Sequence, residues 1–407
     1  MAISIYDALE LIQKNTKKIG FEIIPLENSL KRVCAKDIFA THSLPRFNNS
    51  AMDGYGVKIE DRSRNVKVIN TIMAGDKIEP LINTGECIKI MTGARVPNSV
   101  EAIIPKEDII QNEDGTISLP SNIKQNNHIR FIGEDIKSGQ IILGVGQEIN
   151  FASITALASQ GITHIKVYKK PKVIVFASGE ELKLHYEKVE DYQIYNSNTP
   201  TLIARTQELG CDTTFIGVAN DTLDSIQEHI QNSLDADLIV TSGGVSVGDA
   251  DFTKEAFSNL NMQTIFDGIA IKPGKPTVFG KINNTYILNL PGNPLASALI
   301  FELFGKILIQ NLNGSKNIYH NTIKAKINDD FKNKKGRPTL IPGNFDGEYF
   351  TPSQKRSPGM VNVLNHCNSL ILLNEDVEFL AKDSSVNILP INWKFFTNIN
   401  KGFETKC

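Results

Sequence analysis

At 407 residues the chain is too long for one hydrophobic core, and two to four domains are expected. Its 43 basic and 45 acidic residues nearly cancel, leaving a formal charge of −2, which excludes broad electrostatic binding of DNA or RNA. The longest apolar run, residues 295–312, is broken by Glu302, Lys306 and Gln310, and the five scattered cysteines form no Cys-x-x-Cys pair, so no membrane span, disulfide framework or structural zinc site is supported.

In chain order, Ser4-Ile-Tyr-Asp7 has capping-box spacing with Asp in place of the usual Glu, and apolar residues at helical spacing predict a helix up to Gly20. Asp7 and Glu10 occupy positions where a secretory leader is cationic and then apolar, so a soluble cytoplasmic protein without a membrane or nucleic-acid partner is expected. From residue 22 to 145 short β-branched runs (66–72, 87–91, 102–105, 116–119, 128–131 and 140–143) alternate with Gly, Asn, Asp and Pro, the pattern of small strands and turns. Within this region the stretch FNNSAMDGYGV, residues 47–57, reads either as a surface turn or as an exposed carboxylate, Asp53, on a stiff loop.

Near Pro171 the pattern changes. Strands are predicted at 172–177, 213–219 and 237–241. Thr199-Pro200 opens one helix, Asp221-Thr222 caps another to about Leu234, and a third covers 252–260. Further strands fall near 264–271, 277–281 and 286–290, and Asn293-Pro294 starts a long amphipathic helix. Strands alternating with helices predict βαβ units and a parallel sheet. From Tyr319 a third, β-rich region begins, a small barrel or sheet with strands near 321–327, 338–342, 370–373 and 385–388.

Ligands bind beyond the carboxyl ends of the strands of such a sheet. The run Ser242-Gly243-Gly244 to Gly248, with Ser246 inside it, has the glycines and free N–H groups of a phosphate or pterin cradle, although Gly-rich loops are often only tight turns. Asp249 and Asp251 follow it and read either as Mg²⁺ ligands beside a bound phosphate or as first-turn helix charge; Asp221 reads as a helix cap whatever else it does. Lys272 and Lys275, in a Pro/Gly-stiffened turn, read equally as a fixed cationic patch for an anion or as two solvated lysines. Pro291-Gly292-Asn293-Pro294 reads as a turn and helix start with backbone donors.

Taken in order, SAMDGYGV (50–57), AGD (74–76), IMTGARVP (90–97), GEDIKSG (133–139), ASGEEL (177–182), TSGGVSVGDADF (241–252), IKPGKP (271–276) and LPGNPLASA (290–298) resemble the signature segments of the molybdopterin molybdenumtransferase family, which includes the E domain of gephyrin. The resemblance implies an α/β multidomain fold: a linking domain of residues 1–39 plus 140–170, a β-rich second domain of 40–139, a central molybdopterin adenylyltransferase-like βαβ parallel-sheet domain of 171–318, and a C-terminal β-barrel-like domain of 319–407. It implies insertion of molybdate into adenylylated molybdopterin, yielding molybdenum cofactor and AMP. Mg²⁺ would assist, a homodimer would share the cleft, and cofactor-biosynthesis or molybdoenzyme-maturation proteins would be further partners. The dithiolene sulfurs then come from the substrate, which explains a metal-handling chain without a cysteine cluster.

By the same resemblance Asp53, Asp135, Glu181, Asp221 and Asp251 are the catalytic acids, with Asp221 and Asp251 as metal ligands and Asp53 facing the other subunit. Thr92, the 242–249 loop, Lys272, Lys275, residues 291–294, Arg337 and Ser357 contact substrate. Asp267-Gly268 stands where some relatives carry a lysine, which removes one candidate anion contact. Two other readings compete: a scaffold protein of the same fold, and a stand-alone molybdopterin adenylyltransferase.

Overall fold

The computed structural model describes residues 2–244 and 252–393. The first helix, Ile5–Asn15, is capped by Ser4, whose hydroxyl accepts from the Asp7 N–H at 3.1 Å and donates to the Asp7 carboxylate at 2.7 Å. It ends five residues before Gly20, because a tertiary contact takes over: Lys17 N–H donates to the Tyr286 hydroxyl, which donates to Asn15 O, both at 2.9 Å. Its buried face, Ile5, Ala8 and Ile12, belongs to the same core as Val173, Leu238 and Leu308 of the α/β unit.

Next to it, Phe21–Pro25 pairs antiparallel with His164–Tyr168, and the helix Phe151–Ser159 covers a small core around Cys34, Leu157 and Val167. The β-rich lobe is a six-stranded sheet in the order Ala102–Pro105, Gly54–Val57, Glu86–Ile90, Asn65–Ile72, Thr116–Ser118, Ile110–Gln111. Both of its faces are covered: Tyr55, Cys87 and Ile104 enter one core, Ile88, Ile90 and Ile103 another. Two covered faces explain why Ala102–Pro105 is apolar at consecutive positions instead of alternating.

The α/β unit holds a second six-stranded sheet in the order Asp212–Ala219, Lys172–Ser178, Leu238–Ser242, Thr285–Leu290, Val278–Ile282, Gln263–Asp267. The first four strands are parallel; Val278–Ile282 runs against them, and Gln263–Asp267 pairs antiparallel with it. The Asn283-Asn284 turn dictates the change of direction: with Ile282 paired to Thr285 and Asn283 at φ 53°, two residues can only join antiparallel neighbours. The helices Asn198–Glu208, Leu223–Gln231 and Phe252–Asn259, with the long helix of residues 294–312, cover the two faces. The long helix contains one π-helical turn, Phe301–Gly305. It is apolar enough to cross a membrane, but 89% of its apolar window is buried inside the protein, where it serves as the central core helix.

The C-terminal region is a closed five-stranded barrel of Ile323–Ile327, Tyr349–Pro352, Thr339–Phe345, Ser369–Leu373 and Ser385–Pro390 around Phe331, Ile341, Phe350 and Ile388. It docks on the α/β unit through Leu340, Leu370 and Leu389, which belong to the α/β core.

Candidate active site

Strand register assembles the site. Ser178 pairs with Ala219, Ala177 with Ser242, and Ser242 with Leu290, so the turns after residues 178, 219, 242 and 290 leave the sheet at one level. The second strand in sequence lies outside the first and the third lies inside it, which puts the topological switch point between Lys172–Ser178 and Leu238–Ser242. A cavity of about 740 Å³ opens there. It is lined by Ser242, Gly243 and Gly244, by Glu181 and Asp221, and by residues 291–294; Gly359 and Val361 reach it from the barrel side.

The glycine turn is there for want of space. Gly243 has φ 104°, and a Cβ on it would lie 2.5 Å from the Ser178 carbonyl oxygen; on Gly244, φ 67°, it would lie 1.8 Å from Thr253 Oγ1. Ser178 Oγ and Thr253 Oγ1, beside this turn, are buried without a hydrogen-bond partner among the described residues. Asn198 joins the two neighbouring loops: its Nδ2 donates to Ser242 Oγ at 2.6 Å and to the Gly292 carbonyl at 2.7 Å.

Thr222, not Asp221, caps the helix Leu223–Gln231, accepting from the Ser225 N–H at 3.3 Å. Asp221 is thereby left to the cavity. Burial pushes its carboxyl up from the ordinary range, and the charges of Glu181 and Glu180 push the same way. The helix Asn198–Glu208 likewise starts earlier than Thr199-Pro200 suggests, with the Asn196 side chain accepting from the Thr199 N–H at 3.2 Å. The helix 294–312 begins with Pro294 at its first position, but Asn293 caps through its backbone only: its carbonyl accepts from Ser297 N–H at 2.9 Å.

Lys272 and Lys275 are exposed and lie just beyond the cavity lining, which reaches Pro276. The barrel fixes their loop, since Lys272 N–H donates to Pro338 O and Leu340 N–H donates to Lys272 O, both at 2.8 Å. The same contact brings exposed Arg337 alongside, one residue before Pro338. Ser357 precedes Pro358, whose carbonyl accepts from Leu295 N–H at 2.9 Å, so this turn meets the start of the long helix. Asp267 is engaged by Lys254 at 3.0 Å.

Asp53, Thr92 and Asp135 are elsewhere, on the β-rich lobe, and none of them lines the cavity. Asp53 Oδ1 accepts from both the Thr92 N–H at 2.8 Å and the Thr92 hydroxyl at 2.7 Å. These two bonds hold the Asp53 carboxyl below the usual range, and Lys106 and Lys89 add to the effect. Behind Asp53 the chain is a strand rather than a turn: Gly54–Val57 lies between Ala102–Pro105 and Glu86–Ile90, and a Cβ on Gly54 would sit 2.1 Å from Ile104 O. Tyr55 is buried in that lobe, whereas Met52 is 38% exposed. Asp135 is an exposed turn residue whose N–H donates to Leu44 O at 3.0 Å. Ser246, Gly248, Asp249 and Asp251 lie outside the described residues.

Among known families, the MoeA N-terminal region (domain I and II) matches residues 3–161, the "probable molybdopterin binding domain" 174–311, and the MoeA C-terminal region (domain IV) 324–391. A molybdopterin molybdenumtransferase of Staphylococcus epidermidis is 34% identical over 383 residues, 91% of each chain. The chain belongs to the molybdopterin molybdenumtransferase family. A molybdopterin molybdenumtransferase of Haemophilus influenzae is 38% identical over 298 residues, covering 72% of this chain and 74% of that one. The molybdopterin biosynthesis MoeA protein of Pyrococcus horikoshii superimposes with a TM-score of 0.82 at 29% identity, over 97% of this chain and 100% of that one. The molybdenumtransferase fold therefore extends along the whole described chain, barrel included.

Chain order had singled out the glycine turn, both lysines and the proline-rich turn. It passed over Tyr195, Asn196, Asn198 and Thr253, all four of which line the cavity. The available signal was the pair Asn196-x-Asn198 across a helix start, a spacing that supplies one side chain for the first turn and one for a neighbouring loop.

Proposed function

We propose that this chain transfers molybdenum from molybdate into adenylylated molybdopterin, releasing AMP, with the cytoplasm as its setting. The observation that carries the reading is the cavity at the switch point, where the Ser242–Gly244 turn meets the Glu181 and Asp221 carboxylates. The glycine turn admits a phosphate or ring close to the backbone. The oxygen-only donor pair, with Asp221 already short of compensating charge, fits a hard divalent cation such as Mg²⁺. Bound there beside the substrate's phosphates, Mg²⁺ would neutralise charge on the oxygens of the phosphoanhydride. Asp251, beyond the described residues, would complete the set.

The chain's own residues bind and orient. Lys272 and Lys275, on a loop anchored to the barrel, present two ammonium groups to molybdate as oxyanion substrate, with Arg337 alongside and Ser357 on the turn that meets the start of the long helix. The fixed carboxylate of Asp53 serves a cleft completed by a second copy of the chain, because Asp53, Thr92 and Asp135 stay outside the cavity of their own subunit. Residues 1–39 with 140–170, 40–139, 171–318 and 319–407 serve as the four domains of each subunit. An apolar surface suits a homodimer: Phe21, Ile23 and Phe151 are 55%, 68% and 80% exposed on the linking region.

The test is AMP release from adenylylated molybdopterin with and without molybdate. Molybdate-dependent release is expected; release without molybdate, or none, overturns the reading. Mixing Asp53→Asn subunits with Asp221→Asn subunits tests the shared cleft. Recovery of activity in the mixture is expected, and no recovery places both residues in one subunit's chemistry.

A further inference from the structure

Ile194 and Tyr195 form a two-residue strand against Leu182–Lys183, at the edge of the cavity. The backbone on either side is fixed: Ile194 N–H donates to Glu181 O at 2.9 Å and Asn196 N–H donates to Lys183 O at 2.8 Å. Tyr195 is therefore held one rung from the carboxylate residue Glu181. Its side chain is nonetheless half uncovered, at 49% exposure. Among the described residues no aromatic ring or cation packs on it, and no group hydrogen-bonds its hydroxyl. A rigidly mounted, uncovered ring at a cavity mouth is arranged to cover something flat.

The lining divides by chemistry. The glycine turn with Glu181 and Asp221 forms a polar end, while Ile194 and Val361, 57% and 62% exposed, join Tyr195 as uncovered apolar surface. A ligand with an anionic phosphate end and a planar heteroaromatic end matches both. We propose that Tyr195 is a specificity-determining residue that stacks on the flat heteroaromatic ring of the substrate, an inference that rests on the molybdenumtransferase reading above. Adenylylated molybdopterin offers two such rings, the pterin and the adenine, and either presents the π face that a tyrosine ring selects.

Stacking is separable from plain apolar packing. Tyr195→Phe keeps the ring; Tyr195→Leu keeps apolar area and removes it. The expected result is a KM for adenylylated molybdopterin near wild type in Tyr195→Phe and raised roughly tenfold to a hundredfold in Tyr195→Leu, with kcat little changed. The inhibition constant of AMP distinguishes the ring: if it rises in parallel in Tyr195→Leu the partner is adenine, and if it stays constant the partner is the pterin. Equal KM values for Tyr195→Phe and Tyr195→Leu overturn the proposal. Should the wild type release no AMP at all, the enzymatic reading fails separately. Direct titration with AMP and with neopterin then decides Tyr195, and affinities for both probes that are the same in the Phe and Leu variants reject it.

Discussion

Thr92 donates twice to one oxygen of Asp53, through its backbone N–H and through its hydroxyl, across 39 residues of chain. Both bonds favour the ionised carboxylate, so the folded value lies below the unfolded one, near 3.9. Stabilisation from this group is complete above the unfolded value and is lost as pH falls through the lowered folded value. Thr92→Val deletes the hydroxyl and leaves the N–H. We expect a carboxyl-carbon NMR titration of Asp53 to move upward in this variant, and the acid limb of AMP release to move with it. An unmoved acid limb separates Asp53 from the rate.

Asp221 has the opposite sign. Its carboxyl is raised by burial and by Glu181 and Glu180, so ionising it destabilises the fold. The penalty is absent below the unfolded value, grows as pH rises through the raised folded value, and persists at neutrality. Asp221→Asn is expected to raise Tm at pH 7, to leave Tm unchanged near pH 3, and to abolish most AMP release. Mg²⁺ should raise the Tm of the wild type and not that of the variant. A variant that melts lower at pH 7 refutes this assignment.

Gly243→Ala forces a methyl group to within 2.5 Å of the Ser178 carbonyl at φ 104°. The obstructing atom belongs to the backbone and cannot rotate away, so a loss of about 2–4 kcal/mol is expected from strain and overpacking. Denaturant unfolding measures it. The control is Gly210→Ala at φ 81°, where the added methyl meets nothing and only the left-handed backbone contributes, about 1 kcal/mol.

Lys275→Ala removes a charge-assisted contact to an oxyanion, roughly 1.5–3 kcal/mol. The KM for molybdate should rise about tenfold to a hundredfold, with affinity for adenylylated molybdopterin much less affected. Equal losses for both substrates would show that the lysine supports the loop alone.

A buried ion cluster supplies a structural prediction. Glu302, 5% exposed in the π-helical turn, takes two bonds from Arg205, at 2.6 and 2.9 Å, and lies 3.4 Å from Lys306. Burial, the largest single effect, would lower the Arg205 pKa, but the bonds and charges of Glu302 and Glu208 together outweigh it and the net shift is upward. Glu302→Ala removes two charge-assisted bonds from Arg205, which keeps Glu208 and the Ile391 carbonyl as partners, and a cost of about 1.5–3 kcal/mol is expected in denaturant unfolding.

The sequence displayed its fold where burial was simple. Runs such as 102–105 and 173–177 are apolar because packing covers both faces of their sheets. Gly54–Val57 escaped notice because two glycines lower strand propensity. Both are demanded by contacts distant in sequence, with Ile104 O for Gly54 and with Ile88 and Val100 for Gly56. The site divides the same way. Glycines, prolines and lysines with local meaning could be read directly; Asn198 could not, since its role depends on Ser242 and Gly292 arriving beside it.

The helix at residues 5–15 shares a core with strands that begin more than 150 residues later. A ribosome delivers this helix first and its packing partners last, so Ile5, Ala8 and Ile12 stay uncovered through the synthesis of the β-rich lobe. Closing so long a loop adds an entropic cost that grows only with the logarithm of its length, so the arrangement burdens the folding rate more than the final stability. It also ties the two regions into one cooperative unit. A fragment of residues 171–318 expressed alone would keep its sheet and present the helix's empty groove to solvent, making it prone to aggregate until the N-terminal peptide is supplied in trans.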